Sequence, residues 1–304
     1  MSATISEHPS PRQRSPYKGV VLAGGMGSRL RPATTALSKQ ALPVYDKPMI
    51  YYPLSVLMLA GIREILIIST PSSLPTFEAM LGSGERFGVE LRYAVQARPE
   101  GLAQAFPIAR EFLAGAPVCL VLGDSLFYGN DLGKLLRGAA SEPRGARIFA
   151  YRVSDPRAYG VVEFDRSGRA VALDEKPEHP RSDWAIPGLY FYGPEVCELA
   201  DGLEPSARGE LEITDLNRIY LERGELEVER MGRGIAWFDM GTPQSLLAAA
   251  TFIAAIQDRQ ALMVGCVEEI AFDAGWIGAE QLAAAARGPS AYDAYLRRLV
   301  EERG

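Results

Sequence analysis

Short solid apolar runs alternate along the chain with segments whose apolar residues recur at helical spacing. Residues 19–23 (GVVLA) form the first run, stopped by Gly24 and Gly25, which is the pattern of a buried strand. The spacing then predicts a helix over 49–60, a strand over 64–69 (EILIIS), a short helix over 75–81 and a strand over 90–95. A helix opening at Gly101 (GLAQAFPIAREFL) and a continuous apolar strand over 117–122 complete the first half. Strand and helix in alternation imply βαβ units in a mainly parallel sheet, with ligands at the carboxyl ends of the strands.

The second half is richer in strands, predicted over 146–153, 161–164, 169–173 and 188–192, with a hairpin turn at 165–168 between two of them. Ile213, Leu216, Ile219 and Tyr220 recur at helical spacing up to about Arg223. From Thr242 the pattern is helical, with one stripe at Leu246, Ala250, Ile253 and Ala254 and another at Tyr292, Leu296, Leu299 and Val300. The expected class is α/β: a Rossmann-like, mostly parallel mixed sheet flanked by helices, with a helical C-terminal region. No Gly/Ser-rich or Pro-rich linker and no internal repeat divides the chain. A loose tail is expected over 1–17, one core over 18–242 with halves at about 18–125 and 126–242, and a helical region carrying oligomer contacts over 243–304.

Composition narrows the function. With 304 residues, 47% hydrophobic and 23% charged, the chain can bury a substantial core. A net charge of -6 gives no broad attraction to nucleic acid or anionic membrane, so any phosphate ligand must be held by local cations. The odd set Cys119, Cys197 and Cys266 lies in apolar surroundings without metal-ligand spacing, which favours buried thiols in a reducing compartment; the cytoplasm is expected. No segment reaches the ~20 apolar residues of a membrane helix. Residues 1–16 lack an apolar core of the secretory-signal kind.

The glycine cluster after the first strand is the leading candidate for chemistry. Gly24, Gly25 and Gly27 allow close backbone approach and positive φ, so that several N–H groups can face one anion; Arg29, Arg31 and Lys39 follow. The dinucleotide fingerprint and the P-loop are both excluded by spacing. Taken alone, such a loop is about as often a surface turn. Gln96, just after the strand LRYAV, can donate and accept at once, which suits the imide edge of thymine or uracil; alone it reads more readily as a solvated loop residue. Asp124 and Asp239 each follow an apolar run. Singly they are more often turn formers, but as a pair at two strand ends they suit Mg²⁺, which takes one or two carboxylates with phosphate oxygens and water.

The blocks LAGGMGSRLRP and SKQALPVYDKPMIYYPL, followed in order by VQARPEGLAQAF, VLGDSLFYG, YGVVEF, EKP, GLYFY, ARGELEITDLNRIYLE and MGRGIAWFDMGTPQSL, cover nearly everything from Lys18 to about Ile277. Together they resemble the sugar-1-phosphate nucleotidylyltransferases, in particular the short glucose-1-phosphate thymidylyltransferases. The resemblance implies the nucleotidyltransferase fold, a homotetramer, and Mg²⁺-dependent transfer of a thymidylyl group from dTTP to α-D-glucose 1-phosphate. That reaction releases dTDP-glucose and pyrophosphate and opens dTDP-rhamnose and deoxysugar synthesis. It assigns Gly24, Gly25, Gly27 and Gln40 to the nucleotide and Gln96, Gly101 and Leu102 to the base. Arg29 faces the leaving pyrophosphate, Lys39 the transferring group and Lys176 the attacking phosphate. Tyr159, Gly160, Glu175, Tyr190, Arg208 and Trp237 surround the sugar phosphate, and Asp124 and Asp239 hold the metal.

Departures from the family pattern also matter. Ser125 stands for Asn, Pro187 for Thr, Gly193 for Asp and Met240 for Thr, all in segments expected beside the site. Gly133 and Asp273 stand where relatives can carry His and Arg at a second, nucleotide-sugar site between subunits, so feedback inhibition is expected to be weak. Thymine differs from uracil by one methyl, worth about 0.8 kcal/mol, which leaves a UTP-preferring enzyme as the neighbouring reading. A non-catalytic nucleotide-sugar sensor would be expected to lack the cations and aspartates that are all present here.

Overall fold

The computed structural model describes residues 15–25 and 27–303. In chain order come β1 (Lys18–Ala23), the small hairpin β2 (Pro43–Val44) and β3 (Lys47–Pro48), α1 (Tyr51–Leu59), β4 (Glu64–Ser69), α2 (Leu74–Leu81) and β5 (Glu90–Val95). Next are α3 (Ala105–Leu113), β6 (Val118–Leu122), β7 (Ser125–Gly129), α4 (Leu132–Ala139), β8 (Ala146–Arg152), β9 (Gly160–Phe164) and β10 (Ala170–Glu175). β11 (Trp184–Ala185), β12 (Leu189–Tyr192), α5 (Val196–Asp201), α6 (Ile213–Glu222), β13 (Leu226–Arg230) and β14 (Ile235–Asp239) follow. The chain ends in α7 (Pro243–Gln260), α8 (Val267–Asp273), α9 (Ala279–Ala285) and α10 (Ala291–Arg303).

The main sheet runs β10-β9-β11-β8-β12-β6-β1-β4-β5, with β13 added beside β8. Around β1 it is parallel: Val20 pairs with Leu66 of β4 and with Leu120 of β6. Beyond β6 it is mixed, since β12 runs antiparallel to both β6 and β8. This is the expected α/β class. β1 is a solid apolar run because both its faces are covered. Val20 and Leu22 pack into one core with Phe106 of α3 and Leu216 of α6, while Val21 and Ala23 enter the other with Leu54 and Leu57 of α1.

α1 is apolar all round, as a helix must be when the sheet lies on one side and C-terminal helices on the other. Leu57 is fully buried and reaches toward Gly19 of β1. Leu57→Ala should therefore cost about 2–5 kcal/mol, read as a lower midpoint in urea unfolding; an unchanged midpoint would mean that this core is not the one that holds the fold.

Two expectations need correction. The helix predicted from Gly101 begins at Ala105, because Gly101 has φ 109° and its loop is tied across to Leu211: Leu211 N–H donates to Glu100 O at 2.7 Å and Ala103 N–H to Leu211 O at 3.2 Å. The tail expected over 1–17 falls mostly on residues 1–14, outside the described ones. Its end is core, since Tyr17 is buried edge-on to Phe191 at 5.3 Å. The C-terminal helices begin where expected: Thr242 caps α7 by accepting from Ser245 N–H at 3.1 Å. Among the described residues no helix is long and apolar enough to cross a membrane.

Candidate active site

The carboxyl ends of β1, β5 and β6 share one edge of the sheet, so Gly24 and Gly25, Gln96, and Asp124 meet there. The short β7–β14 pair stands off this edge. Its register sets Asp239 opposite Ser125, and Met240 N–H donates to Asp124 O at 3.0 Å. That pairing brings the two aspartates together. β9 begins, and β10 ends, at the same edge, carrying Tyr159 and Gly160 beside Glu175 and Lys176.

These residues line one cavity of about 300 Å³. Of the positions singled out in the sequence, it is bordered by Gly24, Gly25, Arg29, Lys39, Gln40, Gln96, Gly101, Leu102, Asp124, Tyr159, Gly160, Glu175, Lys176, Tyr190, Trp237 and Asp239. At Gly24 a Cβ would overlap the Gln96 Oε1, so a larger residue there would displace the Gln96 amide. Gly27 does not border the cavity. With φ 58° it shapes the loop instead, its carbonyl accepting from Thr34 Oγ1 at 2.7 Å. Arg31 is exposed and also lies outside.

Arg208 is likewise not brought to the cavity. It is held by Glu212 at 2.8 Å and by Glu175 and Glu210, each at 3.3 Å, beside a separate surface groove shared with Asp215 and Arg218. Local carboxylates engage its charge, which the ARGELE spelling alone did not reveal. The same segment supplies residues that sequence reasoning missed: Glu210, Glu212 and Thr214 border the cavity, and Thr214 Oγ1 donates to Glu175 Oε2 at 2.5 Å. The only signal for them was their place between Arg208 and the first turn of α6.

The electrostatics are those of a site prepared for charge. Lys39 Nζ is ion-paired with Asp124 Oδ2. The Asp239 carboxyl is pushed above the usual carboxylate range, first by burial and then by the charge of Asp124, with Lys39 and Arg29 opposing. Among the described residues no group of three or more His, Cys, Asp or Glu side chains is arranged for a metal. The Trp237 ring is flanked edge-on by Tyr159 at 5.1 Å and Tyr151 at 5.8 Å. Its buried Nε1–H has no hydrogen-bond partner among the described residues. Cys119, Cys197 and Cys266 are free and buried, and burial pushes each thiol up, so none is a prepared nucleophile.

The departures separate in space. Ser125 is buried at the cavity wall, and Pro187 lies between the lining residues Ile186 and Gly188. Met240 instead points into a core with Tyr52, Leu126 and Ile253. Gly193 follows the far end of β12, whose antiparallel direction carries it to the opposite edge of the sheet. Neither of these two lines the site, contrary to the expectation from sequence proximity.

Against this geometry, residues 18–256 match the family model described as Nucleotidyl transferase. A glucose-1-phosphate thymidylyltransferase of Xanthomonas campestris pv. campestris is 59% identical over 265 residues, covering 87% of this chain and 90% of the relative. The enzyme of that name from Neisseria meningitidis is 54% identical over 287 residues, covering 94% and 100%. A solved Bacillus anthracis structure assigned as a glucose-1-phosphate thymidylyltransferase superposes with a TM-score of 0.72 at 37% identity, covering 78% of this chain and 94% of that one. A UDP-glucose pyrophosphorylase complexed with UDP-glucose shares the fold, with a TM-score of 0.70 at 22% identity over 79% of this chain and 98% of its own. The chain therefore belongs to the nucleotidyl transferase family, in its glucose-1-phosphate thymidylyltransferase branch.

Proposed function

We propose that this chain joins dTTP and α-D-glucose 1-phosphate to give dTDP-glucose and pyrophosphate, the opening step of dTDP-rhamnose and related deoxysugar synthesis. The observation that carries this reading is the convergence, in one cavity, of a glycine turn, Arg29 and Lys39, the Gln96 amide, Lys176 and the half-buried Asp124–Asp239 pair. A sugar phosphate is already ionised at neutral pH, so its oxygen attacks the α-phosphorus without a general base. The bond from α-phosphorus to the bridging oxygen breaks as pyrophosphate leaves. No covalent enzyme intermediate is needed, and the site's task is alignment and charge stabilisation.

Arg29 is assigned to the departing pyrophosphate, Lys39 to the transferring phosphate and Lys176 to the attacking phosphate. Gly24, Gly25 and Gln40 hold the nucleotide, Gln96, Gly101 and Leu102 the base, and Glu175, Tyr159, Gly160, Tyr190 and Trp237 the sugar. Arg208 acts from outside the cavity by holding Glu175 and Glu212. Asp124 and Asp239 present an all-oxygen donor set in which desolvation, and then the charge of Asp124, raises the Asp239 carboxyl, the setting a hard dication would relieve. Mg²⁺ is the ion assigned to them, and when bound it neutralises charge on the phosphate oxygens. Residues 18–125 are read as the nucleotide half and 126–242 as the sugar half, with 243–304 carrying contacts of a cytoplasmic homotetramer.

The test is pyrophosphate release with magnesium, pairing dTTP or UTP with α-D-glucose 1-phosphate and several other hexose 1-phosphates. The dTTP and glucose 1-phosphate pair is expected to give the highest kcat/KM; activity confined to another pair would overturn the assigned specificity. Because the Trp237 ring borders the cavity and is held edge-on by Tyr159 and Tyr151, Trp237→Ala should raise the KM for the sugar phosphate about five-fold through the lost aromatic wall, with the KM for dTTP unchanged. Equal changes in both constants would place the indole elsewhere.

Gly133 and Asp273 line a second cavity of about 500 Å³ between α4 and α8, which also carries Glu269 and, on the α4 side, Lys134 and Arg137. Asp273 is ion-paired with Arg303 at 2.9 Å. Inhibition by dTDP-rhamnose is accordingly expected to be weak or absent, and potent inhibition in the same assay would refute this.

A further inference from the structure

Gln96 is buried where β5 ends, and its amide is not free to turn. Its Nε2 donates to Oε1 of Gln104 at 2.6 Å. Gln104 is itself held from both sides, because Glu100 N–H donates to its Oε1 at 3.2 Å and its Nε2 donates to Glu100 Oε2 at 2.8 Å. A backbone N–H can only donate and an ionised carboxylate can only accept, so reversing the Gln104 amide would lose both bonds. Glu100 is anchored in turn through its carbonyl to Leu211 N–H at 2.7 Å. With the Gln104 oxygen fixed as an acceptor, Gln96 must turn its own nitrogen toward it. The Gln96 oxygen is left beside Gly24, at the cavity.

We infer that Gln104 is a specificity-determining positioning residue, which locks the Gln96 amide so that a carbonyl, and not an NH₂, faces the base. A carbonyl accepts from the imide N–H of thymine or uracil. It opposes the ring nitrogen of cytosine, which is itself an acceptor. The selection is therefore for the imide class of pyrimidine, and it is blind to the methyl that separates thymine from uracil. This inference rests on reading the cavity as a pyrimidine nucleotide site.

The test compares kcat/KM for dTTP and dCTP, each with α-D-glucose 1-phosphate, in the unaltered protein, in Gln104→Met and in the paired swap Glu100→Gln with Gln104→Glu. Methionine leaves the Gln96 amide free to turn over, and the dTTP/dCTP ratio should fall about ten-fold, one hydrogen bond's discrimination, chiefly through the nucleotide KM. The swap keeps an acceptor facing Gln96 and a donor facing that acceptor, so the ratio should return to within about three-fold of the unaltered value. An equal loss for both nucleotides in Gln104→Met, with the ratio unchanged, would mean a purely structural role and overturn the inference; so would a folded swap variant that fails to restore the ratio. Turnover of neither dTTP nor UTP by the unaltered protein would overturn the proposed function and the inference with it, a failure visible before any variant is made.

Discussion

Asp239→Asn is expected to lower turnover about 100-fold or more while leaving the fold intact, because a preorganised charge-stabilising group is worth at least that much in the transition state. Asn is nearly isosteric and can still occupy the end of β14, where the antiparallel register with β7 holds it opposite Ser125, next in the chain to Asp124. The loss should therefore fall on kcat and on the dependence of rate on magnesium, with dTTP binding less affected. Stability should move the other way. The folded carboxyl is raised by burial and by Asp124, so its ionised form is disfavoured in the folded state relative to the unfolded one. At neutral pH, removing that charge removes the penalty, and the melting temperature should be unchanged or higher. Near-normal turnover with ordinary magnesium dependence would overturn the metal assignment. A large fall in melting temperature would instead make Asp239 a structural residue.

Lys176→Met is expected to reduce kcat/KM for glucose 1-phosphate about 100-fold or more, with dTTP affinity by calorimetry unchanged. Lys176 has φ 43°, a left-handed conformation that costs a non-glycine residue on the order of 1–3 kcal/mol. The fold maintains it because β10 ends there, with Lys176 N–H donating to Tyr159 O at 3.0 Å, and the turn delivers the side chain to the cavity. Its Nζ lies 3.4 Å from Glu175 and remains half exposed, so its charge is available to an incoming phosphate. Equal losses toward both substrates would mean that the turn, and not the ammonium, is what matters.

Much of this is legible in the sequence. The solid run of β1 and the glycines that end it are local features: a strand covered on both faces must be apolar throughout, and a backbone that closely approaches a neighbour must shed its Cβ. The alternation of strands and helices up to β6 specifies a parallel half-sheet for the same reason. The helix expected from Gly101 was misplaced because its start is set by a hydrogen-bonded strap to Leu211, more than a hundred positions along the chain.

The site itself divides along that line. Which residue types could hold phosphate, base or cation was written in the sequence, since charge, donor pattern and glycine are properties of single residues and short spacings. Which of them meet was decided by strand direction and by neighbours distant in the chain. The antiparallel course of β12 sends Gly193 away from the cavity, and packing turns Met240 into a core. Arg208 is drawn aside by carboxylates that cluster only on folding. The β7–β14 pairing creates the Asp124–Asp239 couple, and the Glu100–Gln104–Gln96 relay gives an otherwise symmetric amide a direction. Hydrogen-bond polarity and electrostatic coupling act between groups at contact distance, and contact between residues far apart in sequence exists only in the folded chain.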